Sequence, residues 1–227
     1  MSPAKFIKTN LFFSSITLAL ITSISAFAAS DTNTLDNGVF LNGDLGASQI
    51  KTPDQALPNT TDSSHKKYQF TWGASVGYLY FDTTYQFVGV ELGYDHLGKA
   101  IYKGTITNTS DSVQTDLEQY DFDMLFDLGV TTPIGLNIIG KAGVARVSQN
   151  LSGQSSQTPD AFTGRDKLTR YVPKAEIGVG YIANSNTDIL LNFAHIFGED
   201  SNNFPANSSK IFSNNSLTLS ITYVLPQ

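Results

Sequence analysis

The segment covering residues 119–130 alternates strictly between two kinds of side chain. One phase is entirely apolar, and the other is mostly acidic or small. Because successive side chains of a β-strand point to opposite faces, this pattern predicts a strand with one apolar face and one acidic face. A helix would scatter the carboxylates around its circumference. The apolar phase comprises Tyr120, Phe122, Met124, Phe126, Leu128 and Val130, and the other comprises Gln119, Asp121, Asp123, Leu125, Asp127 and Gly129.

The same alternation recurs and predicts eight strands. They cover residues 39–50, 70–80, 87–95, 119–130, 138–145, 171–181, 188–197 and 216–225. Their connections alternate between long and short. The short ones are residues 82–85, 131–135 and 183–187, and the long ones are residues 51–69, 97–118, 148–170 and 198–215. Short turns at one end and long polar loops at the other are typical of outer-membrane barrels, whereas β-sandwiches mix loop lengths at both ends.

The two faces of these strands indicate which side meets lipid. The interior of an eight-stranded barrel is just wide enough for side chains to fill, so the face rich in glycine and scattered charges fits inside. The large apolar residues must then point outward, which is favourable only in a membrane. Aromatic residues near the strand ends predict two interfacial girdles. The expected girdle residues are Phe70, Trp72, Tyr94, Tyr120 and Tyr171 beside the long loops, and Tyr80, Tyr85, Tyr181 and Tyr223 beside the short turns.

The start of the chain predicts export. Residues 1–10 carry Lys5 and Lys8 without any acid, an apolar run follows, and the run ends in Ala26-Phe27-Ala28. This arrangement is typical of a secretory signal peptide. We therefore expect a signal peptide at residues 1–28, an N-terminal segment at 29–37, and at 38–227 an all-β, eight-stranded, antiparallel up-and-down transmembrane barrel in the bacterial outer membrane.

Composition narrows the partners and the chemistry. Removal of Lys5 and Lys8 from the 14 Lys and Arg residues leaves 12 against 20 Asp and Glu, a net charge of −8. Such an acidic chain is a poor nucleic-acid binder, so we expect no nucleic-acid partner. The chain has no cysteine, which excludes disulfides and a thiolate nucleophile.

Candidate catalytic and metal-binding residues are sparse. His65, His96 and His195 fall in three different hairpins without the spacing of metal ligands. His195, Glu199 and Ser201 could suggest a lipid-hydrolysing barrel, but no nucleophile motif surrounds Ser201. We predict no catalytic residue, no metal site, no cofactor and no enzymatic activity.

Strand phase places several charged residues inside the predicted barrel. They are Asp44, Glu91, Asp127, Lys141 and Glu176. By height and phase, Lys141 is the nearest plausible partner of Glu91 and Asp127. One buried cation among several carboxylates leaves surplus negative charge.

Three stretches resemble the OmpA transmembrane domain. Residues 88–98, which read VGVELGYDHLG, with Tyr102-Lys103-Gly104 after them, are similar to its third strand and second surface loop. Residues 41–46 and 217–225 are similar to its first and last strands. The resemblance spans about residues 38–227, and it implies an acid at Glu91 that pairs with interior basic residues and blocks the lumen.

This sequence departs from the family at the positions of those basic partners. At the positions where the family has those basic residues, this chain has Asp127 on the following strand and Leu190 and Asn192 on the seventh strand. Lys141 is the best remaining cation, with Lys174 nearer the long loops.

The remaining basic residues predict contacts in the outer leaflet. Apart from Lys141, every basic residue after position 28 lies in or beside a long loop, where lipopolysaccharide phosphates would be close. Arg146, Arg170 and Lys174 sit beside strand ends and are the expected contacts, although acids in the same regions leave simple solubility as an alternative.

Two functions remain open from sequence. The first is a monomeric structural barrel that contacts outer-membrane lipids and lipopolysaccharide, and that serves envelope integrity, adhesion, or host or phage contact through four long surface loops. The alternative is a small-solute channel of low conductance, although eight strands leave little lumen.

Overall fold

The computed structural model describes residues 35–51, 60–65, 68–83, 85–106, 112–155, 165–198 and 211–226. The expected signal peptide lies outside the described residues. Within these ranges, no helix is long and apolar enough to cross a membrane.

Nine antiparallel strands are present in the described residues. They are β1 (Gly38–Ile50), β2 (Thr60–His65), β3 (Gln69–Thr83), β4 (Gln86–Ile106), β5 (Ser112–Thr131), β6 (Leu136–Ser155), β7 (Arg165–Asn184), β8 (Thr187–Ile196) and β9 (Asn214–Val224). Eight of them form a ring in the order β1, β3, β4, β5, β6, β7, β8, β9, which closes by pairing of β9 with β1. The fold is therefore the predicted eight-stranded up-and-down transmembrane barrel. The additional strand, β2, pairs only with the far part of β4, beyond the end of its pairing with β3.

One end of the barrel, called here the turn end, carries the three short connections. The turn between β5 and β6 is a compact example: Thr132 Oγ1 accepts a hydrogen bond from the Leu136 amide at 3.0 Å. Gly135 has a φ of +82°, a conformation that side chains with a Cβ rarely adopt. The opposite end, called the loop end, carries the long connections.

Two of the predicted long loops are mostly strand, which corrects their expected bounds. Residues 97–106 and 112–118 belong to β4 and β5, and residues 148–155 and 165–170 belong to β6 and β7. The pairing of these four strands continues without a break in hydrogen bonding on β5–β6 and β6–β7. These extensions persist because their inward side chains become apolar and pack together, while their outward side chains become polar.

β5 shows this exchange of faces most clearly. From Phe122 to Val130 the outward residues are large and apolar, and Met124 is 62% exposed. Beyond Tyr120 the outward residues are Glu118, Asp116 and Gln114, while the inward residues change from acids to buried Leu117 and Val113. Tyr120 therefore marks the loop-end border of the lipid-facing band.

Aromatic side chains form a continuous girdle at this border on the outer face of β3, β4 and β5. The Trp72 and Tyr94 rings are 5.7 Å apart, and the Tyr94 and Phe122 rings are 4.9 Å apart. His96 lies in the same girdle, 6.0 Å from Trp72. Amphipathic rings of this kind are enriched at the membrane–water interface.

A bulge in β4 lies at the same height. Pairing with β5 shifts between His96 and Lys99, so that inward positions are odd-numbered below the bulge and even-numbered from Ala100 onward. Gly98 has a φ of +87°, and a Cβ there would lie 2.5 Å from the Cβ of Gln69. The Thr71 hydroxyl donates to the His96 carbonyl at 2.8 Å, and the Ser48 hydroxyl donates to the Leu97 carbonyl. The bulge is thus held from inside the barrel.

The border at Tyr120 gives a direct test on one face of one strand. We expect Met124→Arg to lower the free energy of unfolding from phospholipid vesicles by about 2–4 kcal/mol, because the guanidinium would enter the apolar band. Gln114→Arg, at an outward position of the same strand beyond Tyr120, is the control and should change the free energy of unfolding by less than about 1 kcal/mol. Equal effects of the two substitutions in urea titrations would contradict the placement of the border.

Candidate functional site

The lumen contains a charged chamber between two apolar plugs. The plug at the turn end is formed by Leu35, Phe40, Leu79, Phe87, Ile139, Ile182, Leu190 and Val224. Leu35 precedes β1 and is only 5% exposed, and the neighbouring Asp36 amide donates to the Ser185 carbonyl at 2.8 Å. The chain entering β1 therefore covers this end of the lumen.

The first charged centre above this plug surrounds Lys141. Its Nζ lies 2.8 Å from Glu91 Oε2 and 3.6 Å from Glu176 Oε1. Asp127 is the direct register partner of Lys141 on β5, and Asp44 lines the same cavity as Glu91 and Glu176. The structure thus places the five interior charges expected from sequence in the lumen, with Glu91 and Lys141 in an ion pair.

The second centre surrounds Lys174 and was missed as a site by sequence reasoning. Lys174 Nζ lies 2.5 Å from Asp95 Oδ2 and 3.4 Å from Asp121 Oδ2, and it also contacts Asp123 Oδ2. Lys174 is 3% exposed. The expectation that it contacts lipopolysaccharide is therefore wrong, because its ammonium group points into the lumen and is already surrounded by carboxylates.

Small residues make room for these carboxylates. A Cβ on Gly93 would lie 2.4 Å from Asp123 Oδ1. A Cβ on Gly73 would collide with both Asp95 Oδ1, at 1.9 Å, and Asp44 Oδ2, at 2.4 Å. Gly93 is the register partner of Asp123, and Gly73 is the register partner of both Asp95 and Asp44, so these two glycines make room for acidic side chains of the neighbouring strands.

Carboxylates outnumber ammonium groups in the described lumen. Eight carboxyl groups share it with Lys141 and Lys174, namely those of Asp44, Glu91, Asp95, Asp121, Asp123, Asp127, Glu176 and Asp188. Both carboxylate oxygens of buried Asp127 lack a protein hydrogen-bond partner, as does Oδ1 of Asp121. Oxygens of Asp95, Asp121 and Asp123 lie within 4.8 Å of one another, a spacing that could hold a metal ion. The ammonium group of Lys174 is the cation that this cluster contacts in the structure.

A belt of buried amides forms the ceiling of the chamber. Gln119 Nε2 donates to Gln149 Oε1 at 2.9 Å and to the Phe212 carbonyl at 3.1 Å. Asn214 Nδ2 donates to Gln119 Oε1 at 3.3 Å. Because the belt binds the Phe212 backbone, it holds the segment before β9 across the lumen.

The plug at the loop end lies above and beside the belt and consists of two apolar clusters. One apolar cluster comprises Ile50, Ala100, Tyr102, Leu117, Leu151 and Phe212. A second, beside it, comprises Leu97, Ala145, Val147, Leu168, Val172, Ile196 and Ile211. Six of these thirteen residues belong to the strand extensions, and Ile211 and Phe212 belong to the segment before β9, so the extensions and this segment close the lumen together with residues of the barrel wall.

The other expected lipopolysaccharide contacts lie at different places. Arg146 is exposed on the outer face of β6, in register between Phe122 and Tyr171. Arg170 is also exposed, but it pairs with inward Val147 and therefore lies on the inner face of the β6–β7 extension. Lys167 was not singled out from sequence, and its Nζ lies 5.8 Å from the centre of the Tyr120 ring.

The residues considered for hydrolysis are not brought together. His195 Nδ1 lies 2.5 Å from Asn215 Oδ1, and its ring meets Phe197 edge-on at 4.4 Å. Glu199 and Ser201 lie outside the described residues. The geometry of the described residues gives His195 an amide partner rather than an acid or a nucleophile.

A family profile decides what kind of barrel this is. The profile of the outer membrane protein β-barrel domain matches residues 15–224. This chain belongs to that family. The outer-membrane barrel is therefore placed in the bacterial outer membrane, with its turn end toward the periplasm and its loop end toward the cell surface.

Solved structures agree on the fold. Neisserial surface protein A is 14% identical, with a TM-score of 0.51 and coverage of 83% of this chain and 97% of its own. The outer membrane protein OprG from Pseudomonas aeruginosa is 12% identical, with a TM-score of 0.51 and coverage of 86% and 100%. No curated protein sequence matches this outer-membrane barrel. At these identities the likeness shows the fold alone.

We expect removal of the Lys174 charge to cause a large loss of stability. Lys174→Met should lower the free energy of unfolding by about 3–5 kcal/mol, because three buried carboxylates then surround an uncharged side chain instead of an ammonium group. The control is Lys99→Met, which breaks the 2.7 Å pair of Lys99 with Asp116 on the outer surface, where Lys99 is 49% exposed. Its expected cost is about 0–1 kcal/mol.

Urea unfolding from phospholipid vesicles measures the free energy of unfolding of Lys174→Met and Lys99→Met. Adding Asp123→Asn to Lys174→Met should recover part of the loss, since it removes one of the unpaired charges. Similar unfolding midpoints for Lys174→Met and Lys99→Met would contradict the buried centre.

Proposed function

We propose that this protein is a structural and surface-interaction barrel that anchors itself in the lipopolysaccharide leaflet, and that it does not conduct solutes. The observation that carries the proposal is the closure of the lumen by an apolar plug at each end of a charged chamber. With the interior occupied by its own side chains, the surfaces available for function are the outer wall and the loop end.

The size of the cavities in the lumen supports this reading over the channel alternative. The two cavities that are lined by residues of the charged centres have volumes of about 20 Å³ each. A cavity of this size holds about one water molecule. A solute path would require both plugs and the Lys174 centre to move together, which is costly because each is closely packed.

The strand extensions favour a role at the cell surface. β4 to β7 continue beyond the aromatic girdle, and their outward residues there include Gln114, Asp116 and Glu118. A paired, polar sheet held above the membrane is a rigid support for recognition by a host surface, a phage or another envelope component. The role in adhesion or envelope integrity rests on this placement.

The outer face of β5, β6 and β7 is suited to an anionic headgroup. Arg146 lies between the rings of Phe122 and Tyr171 in the girdle, and Lys167 lies over Tyr120 toward the cell surface. The hydroxyls of Ser148 and Thr169 are 3.0 Å apart on the rung between the two cations. Arginine binds phosphate in a bidentate manner and lysine adds a point charge, so this patch fits a lipopolysaccharide phosphate.

The patch gives the test of the proposed function. The double variant Arg146→Gln/Lys167→Gln should bind lipopolysaccharide about tenfold more weakly, a change of about 1.4 kcal/mol, because both charges that face the phosphate are removed. Stability in plain detergent should hardly change, because both residues are at the surface. Thermal unfolding with increasing lipopolysaccharide measures the affinity.

A matched control uses basic residues away from this patch. Lys103 is exposed on the β4 extension, farther from the lipid band, and Arg170 faces the inside of the β6–β7 extension. Lys103→Gln/Arg170→Gln removes the same charge and should leave the stabilisation by lipopolysaccharide close to that of the parent. The proposal fails if the two double variants lose stabilisation equally.

A further inference from the structure

We propose that a groove in the outer wall near the periplasmic end binds one acyl chain of a glycerophospholipid whose headgroup carries an ammonium group. The groove has a volume of about 390 Å³ and lies across β4 to β7. Its sides are formed mainly by Val88, Leu128, Ile138 and Ile177, and Asp82 lies at its margin. A pocket of this volume falls in the range that proteins use for small ligands.

The absence of a side chain at Gly140 opens the groove. Gly140 is an outward position of β6, in register between Leu128 of β5 and Ile177 of β7. A Cβ at Gly140 would meet no atom within 4 Å. Leu128 and Ile177 are both more than half exposed, so their facing sides form apolar walls around an open strip.

The floor of the groove is firm. It includes Phe87 and Ile139, which belong to the periplasmic plug and are almost completely buried. The Phe87 ring packs so closely beneath Gly129 that a Cβ there would lie 2.0 Å from it. The groove is therefore a fixed depression over the core of the plug, which lowers the cost of ordering an acyl chain within it.

The position of the groove identifies its occupant. It lies on the lipid-facing wall beside the β3–β4 turn, in the periplasmic leaflet, whereas lipopolysaccharide occupies the opposite leaflet. Apolar walls in this place meet hydrocarbon, so the bound group is the acyl chain of a glycerophospholipid. The groove is separate from the Arg146 patch and does not depend on it.

The charges of the periplasmic rim select the headgroup. Asp82 is exposed at the groove, and Asp36 is exposed on the same rim. Every Lys and Arg in the described part of the chain lies either in the lumen or toward the cell surface. An acidic rim attracts the ammonium group of phosphatidylethanolamine and repels the net negative charge of phosphatidylglycerol.

Filling the groove tests the acyl-chain site. Native mass spectrometry of barrels extracted in mild detergent should show one retained phosphatidylethanolamine on the parent and at least a tenfold smaller retained fraction on Gly140→Leu. The control is Gly43→Leu, because Gly43 is also an outward glycine with no atom within 4 Å of a Cβ, and it lies outside the groove. Retention should persist in this control.

Heat-modifiable migration in gels shows whether each variant is folded. Folded Gly140→Leu that retains as much lipid as Gly43→Leu would overturn the site, as would a parent that retains none.

The headgroup selection has its own test. In nanodiscs that contain equal phosphatidylethanolamine and phosphatidylglycerol, the parent should retain the former in excess, and Asp82→Asn should reduce that excess severalfold while total retention stays the same. An excess that is unchanged in Asp82→Asn, or a parent that favours phosphatidylglycerol, would overturn the proposed selection of an ammonium headgroup.

Discussion

Lipid offers no hydrogen-bond partner to a peptide group, so every spanning strand must pair on both edges. The ring of eight strands meets this constraint by pairing β9 with β1, and the alternation of side chains then assigns each residue to lipid or to the lumen. β5 shows the result along one strand. Its outward residues are apolar as far as Tyr120 and polar beyond it, and its inward residues change from acids to Leu117 and Val113.

The same constraint determines how the lumen is filled. Most large apolar side chains face lipid or form the two plugs, so the narrow interior between the plugs is packed with glycines, acids and the two lysines. Burial of these charges is tolerable because Lys141 and Lys174 each contact carboxylates from more than one strand. A buried ion network of this kind adds less net stability than its number of contacts suggests. The surfaces left for the proposed function are the outer wall and the loop end.

Strand phase predicted the ring and the inward position of Asp44, Glu91, Asp127, Lys141 and Glu176, because period-two alternation is a strong local signal. It also held the information for the second centre, since Asp121 and Asp123 share a phase with Asp127, and Lys174 shares one with Glu176. Proximity to a predicted loop led instead to a surface role for Lys174. The strand extensions were missed because the bulge at Gly98 reverses the phase of β4, and because their polar outer face resembles a loop. Side-chain partners across the lumen depend on register, which alternation alone does not specify.

Single-channel recording in planar bilayers shows whether the two plugs and the charged chamber close the lumen. Heat-modifiable gel migration should first establish that the protein is folded in the vesicles from which it is delivered to the bilayer. If the lumen is closed, the inserted barrel should give no stepwise current at either polarity, because both ends are packed with apolar side chains and Lys174 lies among three carboxylates between them. Reproducible current steps from the inserted parent protein would contradict it.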